Sequence, residues 1–412
     1  MRLPIVVVNH VEQQIVTKTA TWPSPCFGID RQTSLGLDVI SLELPAHREF
    51  HLTVRPLPGE KPEGMIHRLA AVLREKDAVV VRHGICARNS VHAEMLSALR
   101  CEFRVLDWPV MWIGGRVPAA DGMGGMHVLA VTGTRAQTVS MNGEILGRTW
   151  GNEHVRHCFV GNLRPTGLTQ SRTAQCQEVL EKMEQVLLEA RMSMANLART
   201  WFLLDDIWTW YGPFNAVRTK FYSQKWVSME MLPASTGIGG RRPGGVALTA
   251  SAWAVQGLDQ SFKICAAPSP LQCPSIEYGS AFGRAVLITE PACRRLFVSG
   301  TASIAPNGRS AHTGDVQGQI ALAMKVIQVI LVSQGFGLQD ITRATAYFKD
   351  VYDLPVFDRW RTEHNAKSLP IITTQADLCR EELLFEIELD AVSVGNAEGI
   401  ATANRPCNGI EH

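Results

Sequence analysis

The sequence lacks the spacing patterns by which proteins bind metal ions and nucleotide phosphates. Its ten cysteines stand singly, and none forms a CxxC pair or a Cys/His cluster of zinc spacing. His51, His83, His154, His157 and His364 show no HxH or HxxxH spacing among themselves. Two glycine-rich stretches, 114–125 and 237–245, lead into strand-like sequence and lack the Gly-Lys-Ser/Thr of a phosphate-binding loop. The sequence therefore predicts neither a metal site nor a cofactor.

The chain also has almost no net charge, and we find no apolar run that approaches a membrane span. Forty basic residues against 39 acidic ones give a net charge of +1, which provides no field to recruit nucleic acid or anionic lipid. The opening MRLPIVVVNH has too few apolar residues for a signal peptide. A hydrophobic content of 46% with 19% charged residues is typical of globular proteins. We expect a cytoplasmic protein with reduced thiols, a small-molecule partner, and a monomeric or weakly oligomeric state.

What the sequence does contain is an internal repeat. Residues 156–255 and 294–392 follow one order: apolar strand, polar loop, long amphipathic helix, strand, helix, Leu-Pro and a last strand. The copies share matching pairs of residues, which are Arg199 with Arg343, Asp206 with Asp350, Arg218 with Arg361, and Pro233 with Pro370. A repeat of about a hundred residues indicates duplication of a domain rather than a solenoid.

The N-terminal third shows a weaker version of the same order. A strand, a helix and a strand near residues 50–86 precede two strands, and Trp108-Pro109 stands where the later copies have Leu-Pro. We interpret this block as a degenerate third copy. Three such copies predict three sheets packed around a common axis.

Several segments of the second copy resemble the Rid/YjgF superfamily, the reactive-intermediate imine deaminases. They are FVSGTASIAPNG, GDVQGQIALAMKVIQVIL, ITRATAYFKD, the EHNA of 363–366, and FEIELDAV. Members of that superfamily are trimers with pockets between subunits. The resemblance therefore implies an α+β, chorismate-mutase-like fold of tandem units, arranged as a pseudo-trimer within one chain.

A narrower resemblance is to the chorismatases, which cleave the enolpyruvyl group from chorismate. It rests on LFVSGTAS, YGSAFGRA, RTW, PASTGIGG and above all ADLCREELLFEIE. The resemblance implies release of pyruvate together with a hydroxybenzoate, 3-hydroxybenzoate being favoured, or a dihydroxycyclohexadiene carboxylate. Gly283 stands where this family pattern leads us to expect serine. Two alternatives remain open: a Rid-type hydrolase of enamines or imines, and a non-catalytic small-molecule-binding module.

These observations divide the chain into six parts. We expect an irregular segment at 1–45, a degenerate unit at 46–150, a first full unit at 151–258, a linker or active-site loop at 259–290, a C-terminal catalytic unit at 291–395, and a tail at 396–412.

The last strands of the two copies differ in chemistry. Glu386, Glu388 and Asp390 alternate along one face in the second copy, while the first copy has Thr249 at the position of Glu386. A solvated strand face is one interpretation. The other, implied by the chorismatase resemblance, makes Glu386 the general acid/base, because a carboxyl desolvated in a cleft can hold a proton near neutral pH. Glu388 is the second candidate, and we expect it to tolerate replacement better.

The resemblance also suggests further site residues. Cys379 matches a position that is associated with the 3-hydroxybenzoate branch, whereas Arg380 is expected to be a turn charge. Candidate substrate-binding residues are Arg284, Tyr278, Phe282, Ser235, Thr236, Gly237, Lys349, Arg218 and Arg361. We expect Ile372 and Ser235 to stand where imine deaminases have the arginine that binds a substrate carboxylate. The absence of arginine there argues against the deaminase alternative.

Overall fold

The computed structural model describes residues 28–117, 121–225, 227–240 and 245–395. These ranges form three consecutive units with one topology, each built on a six-stranded mixed sheet. In every unit three antiparallel strands lead to a helix, a strand, a second helix and a parallel edge strand. The sixth strand then inserts between the third and fourth.

Unit 1 has the complete set of elements. They are β1 (Ile29–Ser34), β2 (Leu37–Glu43), β3 (Arg48–Val54), α1 (Pro62–Glu75), β4 (Val79–Ala87), α2 (His92–Phe103), β5 (Val110–Gly114) and β6 (Met123–Thr132). Segment 1–45 was expected to be irregular, but it contains β1 and β2; residues 1–27 lie outside the described ranges. The unit is therefore a full copy. It was interpreted as degenerate because its strands differ in length and spacing from those of units 2 and 3.

Unit 2 repeats the order with longer helices. Its elements are β7 (Gln137–Met141), β8 (Glu144–Gly151), β9 (Val155–Leu163), α3 (Arg172–Glu189), β10 (Leu197–Leu204), α4 (Ile207–Gln224), β11 (Ala234–Gly239) and β12 (Leu248–Gly257). Helix α3 begins where the Ser171 side chain accepts a hydrogen bond from the Ala174 backbone, as an N-cap does.

Unit 3 completes the chain. Its elements are β13 (Lys263–Ala267), β14 (Ala285–Thr289), β15 (Cys293–Ala302), α5 (Val316–Ser333), β16 (Ile341–Phe348), α6 (Leu354–Glu363), β17 (Ile371–Gln375) and β18 (Phe385–Val394). Segment 259–290 is thus not only a linker, because it contributes two strands to this sheet. The tail at 396–412 lies outside the described ranges.

Helix α5 is long and apolar enough to cross a membrane by length and composition, which the sequence analysis did not expect. Its apolar side chains, among them Ile320, Met324 and Ile327, are buried in the core of unit 3. The same composition suits a core helix, because such a helix packs against a sheet along much of its surface. The eight cysteines in the described ranges are all free.

The three sheets meet in one central core. One face of each sheet packs against its own helices, while the opposite faces together bury residues such as Met111, Trp201 and Phe297, one from each unit. The central strands are therefore buried on both sides. This arrangement is a pseudo-trimer within one chain, as the repeat predicted.

Strand pairing gives a residue correspondence between the units. Arg82, Arg199 and Arg343 pair with Leu129, Trp253 and Asp390 respectively, so each unit places an arginine at the same inward-facing position. The same registers pair Cys86 with Gly125, Leu203 with Thr249, and Tyr347 with Glu386. The predicted match of Thr249 with Glu386 is therefore confirmed, and Gly125 is their counterpart in unit 1.

Candidate active site

A cavity of about 310 Å³ lies between units 2 and 3. Helix α4 and strand β11 of unit 2 form one wall, and the 278–284 segment, β15 and the start of β18 of unit 3 form the other. The cavity brings together eight of the predicted site residues: Glu386, Cys379, Arg284, Tyr278, Phe282, Ser235, Gly237 and Arg218.

Three other predicted site residues do not line this cavity. The Thr236 hydroxyl is directed to Glu388 in the central core. Lys349 donates to the backbone oxygen of Glu381 at 2.5 Å, and Arg361 pairs with Asp358 on α6 at 2.6 Å. Strand β17 of unit 3 packs toward unit 1, so the α6 side of unit 3 faces a different boundary from α4 of unit 2. Matching positions in the two copies therefore serve different clefts.

Glu386 is the buried carboxyl of this cavity. Its residue is 4% exposed, and no described group donates a hydrogen bond to the carboxyl. The carboxyl lies over Gly300, where an added Cβ would collide with it. Burial, and then the neighbouring charge of Glu388, raise the pKa of Glu386 to about 8. At neutral pH Glu386 therefore holds a proton.

Glu388 is in the opposite situation, although it shares the same strand face. Its carboxylate accepts hydrogen bonds from Arg199 at 2.5 Å, Trp201 at 2.8 Å and Arg343 at 2.7 Å, and from Thr236. Burial opposes ionisation of Glu388, but the adjacent guanidinium groups outweigh it and lower its pKa. Glu388 is thus held as an anion in the central core and is not placed to act as an alternative acid.

Asp390 continues this row of inward-facing carboxylates. It binds Arg343 of its own unit at 2.8 Å and Arg82 of unit 1 at 2.9 Å. The solvated-face interpretation of this strand is therefore wrong, because all three side chains are buried.

Three guanidinium groups line the cavity without a carboxylate partner among the described residues. Arg218 donates to Asn215 at 2.6 Å and to Ser235 at 3.3 Å, and its Nε is buried and unpaired. Arg284 donates to the backbone oxygen of Cys273 at 2.7 and 3.0 Å. Arg380 donates to Ser310 at 3.2 Å. Arg380 lies in the turn before β18, as expected, and it also lines the cavity.

The other ionisable groups of the cavity remain neutral at physiological pH. Burial raises the pKa of the Cys379 thiol and of Tyr278 to about 12, and it raises the pKa of Tyr211 above its usual value. The cavity therefore combines three positive charges with uncharged acids and donors. Such a lining suits an anionic ligand that receives a proton.

Sequence reasoning missed several lining residues, among them Tyr211, Asn215 and Gly300. Tyr211, Asn215 and Arg218 are spaced four and three residues apart, which places them on one face of α4. That spacing could have indicated them. Gly300 gave no signal, because its role depends on the close approach of Glu386 from another strand.

Gly283 has a structural reason in this chain. Its backbone nitrogen donates to the Pro233 oxygen at 2.9 Å, and a Cβ at Gly283 would stand 2.6 Å from the Leu232 oxygen. A serine there would require the backbone of the two units to separate.

The predicted equivalence of Ser235 and Ile372 is wrong by one residue. Strand pairing places Trp201 opposite Thr236 and Thr345 opposite Ile372, so Thr236 is the counterpart of Ile372. Unit 2 has one more residue than unit 3 between the proline and this position. Neither residue is an arginine. In the described ranges no cluster of His, Cys, Asp or Glu is arranged to hold a metal ion.

Comparison with known proteins agrees with this architecture. Residues 282–393 match the family model of Endoribonuclease L-PSP. A 3-hydroxybenzoate synthase of Streptomyces hygroscopicus is 26% identical over 318 residues, which cover 70% of this chain and 87% of that protein. A chorismatase of the same organism is 28% identical over 211 residues, 47% of this chain and 60% of that protein.

A solved structure supports the fold along most of the chain. The crystal structure of a chorismatase superposes with a TM-score of 0.56 at 19% identity, covering 76% of this chain and 92% of that one. Residues 282–393, which contain most of unit 3, are thus similar to the Endoribonuclease L-PSP family, and most of the chain is similar to a 3-hydroxybenzoate synthase in sequence and to a chorismatase in fold.

Proposed function

We propose that this chain cleaves the enolpyruvyl ether of chorismate, releasing pyruvate and a ring product. The proposal rests on a buried carboxyl, Glu386, whose pKa is raised to about 8 by burial, in a cavity with three guanidinium groups that have no carboxylate partner in the described part of the chain. The similarity to a 3-hydroxybenzoate synthase and to a chorismatase supports the same reaction.

The charges of the cavity fit this substrate. Chorismate carries two carboxylates, and Arg218, Arg284 and Arg380 offer planar donor groups for them. Tyr278 lies between two of these cations, with its ring centroid 5.3 Å from the Arg284 guanidinium and 5.2 Å from that of Arg380. Phe282 completes an aromatic wall beside the position of the substrate ring.

Glu386 supplies the proton that starts the reaction. The acid protonates the methylene carbon of the enol ether, which makes the adjacent carbon an oxocarbenium centre and leaves Glu386 ionised. Water can add to that centre; the resulting hemiketal collapses, its bond to the ring oxygen breaks, and its hydroxyl proton passes to that oxygen as pyruvate leaves. Alternatively, a neighbouring ring hydroxyl attacks the ring carbon that bears the ether oxygen, that carbon–oxygen bond breaks, and its electron pair leaves with the oxygen, which becomes the carbonyl oxygen of pyruvate. In the second case the ring becomes aromatic when the bridging oxygen opens, a ring C–H proton is lost and the oxygen is protonated. The proton lost from the attacking oxygen returns the carboxyl to its acid form.

The product depends on whether the attacking nucleophile is water or a hydroxyl group of the substrate. Addition of water gives the dihydroxycyclohexadiene carboxylate, whereas the 3-hydroxybenzoate route consumes no net water, since pyruvate and 3-hydroxybenzoate together contain the atoms of chorismate. We favour 3-hydroxybenzoate. The neutral Cys379 thiol lies in the cavity lining with Glu386, where its low polarity disfavours an ordered water molecule.

The imine-deaminase alternative has less support. Thr236 and Ile372 occupy the positions where we expect the carboxylate-binding arginine of those enzymes, and both are buried in the central core. We therefore expect no ammonia release above background from freshly generated iminopropionate.

The test is incubation with chorismate, with pyruvate measured by a coupled lactate dehydrogenase assay and the ring product identified by chromatography. Glu386→Gln preserves shape but cannot supply the proton, so pyruvate formation should fall by roughly a hundredfold or more. Glu381→Gln, an exposed change in the preceding turn, is the control and should remain active. A fully active Glu386→Gln variant, or a wild-type protein that releases no pyruvate, would refute the proposal.

A further inference from the structure

A second and larger cavity, of about 820 Å³, lies between units 1 and 2. Strand pairing makes it the counterpart of the candidate active site. Thr249 occupies the position of Glu386, and Asn162 occupies that of Gly300, because Leu163 pairs with Ala250 as Thr301 pairs with Ile387. Both residues line the second cavity.

The third boundary, between units 3 and 1, is filled at this position. Gly125 is the counterpart of Glu386 there, and a Cβ on it would stand 3.1 Å from Cδ1 of Ile372. A cavity of about 530 Å³ at that boundary is lined instead by Arg88, Arg116, Val117, Val351 and Tyr352, so the position equivalent to Glu386 does not open into it. The space between units 1 and 2 is a separate feature of this chain.

The second cavity cannot perform the proposed proton transfer, because an alcohol is not an acid near neutral pH. Its buried Thr249 hydroxyl is nevertheless unusual: the residue is 2% exposed, and Oγ1 has no hydrogen-bond partner among the described residues. A buried polar atom without a partner is destabilising, and a ligand that hydrogen bonds to it recovers this cost. Thr249 thus indicates an occupant.

The remaining walls indicate what kind of occupant fits. Arg100 and Arg104 have no ion pair among the described residues, whereas Arg164 is paired with Glu144 at 3.2 Å. The apolar wall is formed by Leu96, Leu106, Trp108, Pro109, Val110 and Trp112. Unpaired guanidinium groups bind carboxylates, and aromatic and aliphatic walls bind rings.

From these features we propose that the cavity between units 1 and 2 is a second, non-catalytic binding site for a monocyclic carboxylate. Arg100 and Arg104 bind the carboxylate, the tryptophan-containing wall packs against the ring, and the Thr249 hydroxyl forms a hydrogen bond with a polar substituent of the ring. The site does not depend on the reaction proposed above, because none of its residues lines the other cavity.

The experiment is calorimetric titration of the full chain with 3-hydroxybenzoate, and with benzyl alcohol as a ring without a carboxylate. Wild type should bind two equivalents of 3-hydroxybenzoate and no benzyl alcohol. The double variant Arg100→Ala/Arg104→Ala should weaken one site roughly tenfold or more, since charged hydrogen bonds are lost. Its kcat and KM for chorismate should be unchanged.

Two further variants separate the sites. Thr249→Val removes the unpaired hydroxyl, so the protein should be at least as stable as wild type while the same site binds more weakly. Arg284→Ala should weaken only the other site. A single equivalent that is weakened by Arg284→Ala and unaffected by both second-cavity variants would overturn the proposal. If the chorismate assay fails, the equivalent weakened by Arg284→Ala is no longer expected, but the equivalent weakened by Arg100→Ala/Arg104→Ala and by Thr249→Val still is, so the two proposals fail separately.

Discussion

Two glutamates on one strand face differ because of the groups that surround them. Glu388 accepts hydrogen bonds from four donors and is held as an anion, while Glu386, two residues earlier, has no donor among the described residues and holds a proton. The anion of Glu388 also raises the pKa of Glu386. A buried carboxyl without hydrogen-bond donors stays protonated and can act as a general acid, whereas a buried carboxyl with cationic donors stays ionised and has a structural role.

This difference predicts the pH dependence. The active form of Glu386 is the protonated one, so activity should be high below the folded-state pKa and fall as pH rises through about 8. In Glu388→Gln the neighbouring anion is gone, so the falling limb should move to lower pH, though burial still keeps the pKa above its usual value. The measurement is kcat/KM for chorismate across the pH range, and Glu381→Gln serves as the control. A limb that does not move in Glu388→Gln would show that the two carboxyls are not coupled.

At the scale of elements, the active-site geometry depends on how closely β15 and β18 approach one another. Glu386 pairs with Ala302, and its carboxyl folds back over Gly300. The absence of a side chain at Gly300 leaves the space in which the carboxyl lies.

Gly300→Ala should therefore displace the Glu386 carboxyl and lower kcat, with a smaller effect on stability because the atom in conflict is the end of a side chain. We expect a loss of about tenfold or more, since small misplacements of a catalytic group are costly. Gly240→Ala is the matched control, because its Cβ would have only an ordinary contact with the Gly114 oxygen at 3.5 Å. Kinetics and thermal unfolding measured together check this. Equal activity of the two variants would contradict it.

At the scale of the whole molecule, the charged residues of the central core connect the units. Arg82 of unit 1 and Arg199 of unit 2 both reach carboxylates on β18 of unit 3. These ion pairs lie beside the shared apolar core, so we expect the three units to unfold together rather than one by one.

Asp390→Asn tests whether the ion pairs of the central core make the three units unfold together. The change leaves Arg82 buried without its ion-pair partner and should lower the free energy of unfolding by about 3–5 kcal/mol. Asp358→Asn, which removes the partly exposed partner of Arg361, should cost about 0–1 kcal/mol. Denaturant unfolding followed by fluorescence checks both values and the single transition. A separate transition for one unit would show that the central core is not shared as described.

The sequence by itself determined the repeat, the three sheets and the strand face on which Glu386 lies. Strand alternation and helix spacing are local properties, so Glu386, Glu388 and Asp390 could be placed on one face without a structure. The match of Thr249 with Glu386 followed from the same period of two. The resemblance then suggested the acid and most of the cavity lining.

Only the tertiary structure decided which of those residues work together. Glu388 and Arg199 are 189 positions apart, and no local pattern reports that they are in contact. The same holds for Lys349 and Arg361, which face other surfaces, and for Ser235, where one extra residue shifted the register. The chemistry of a buried carboxyl depends on partners brought from other units, and burial and pairing are properties of the assembled fold.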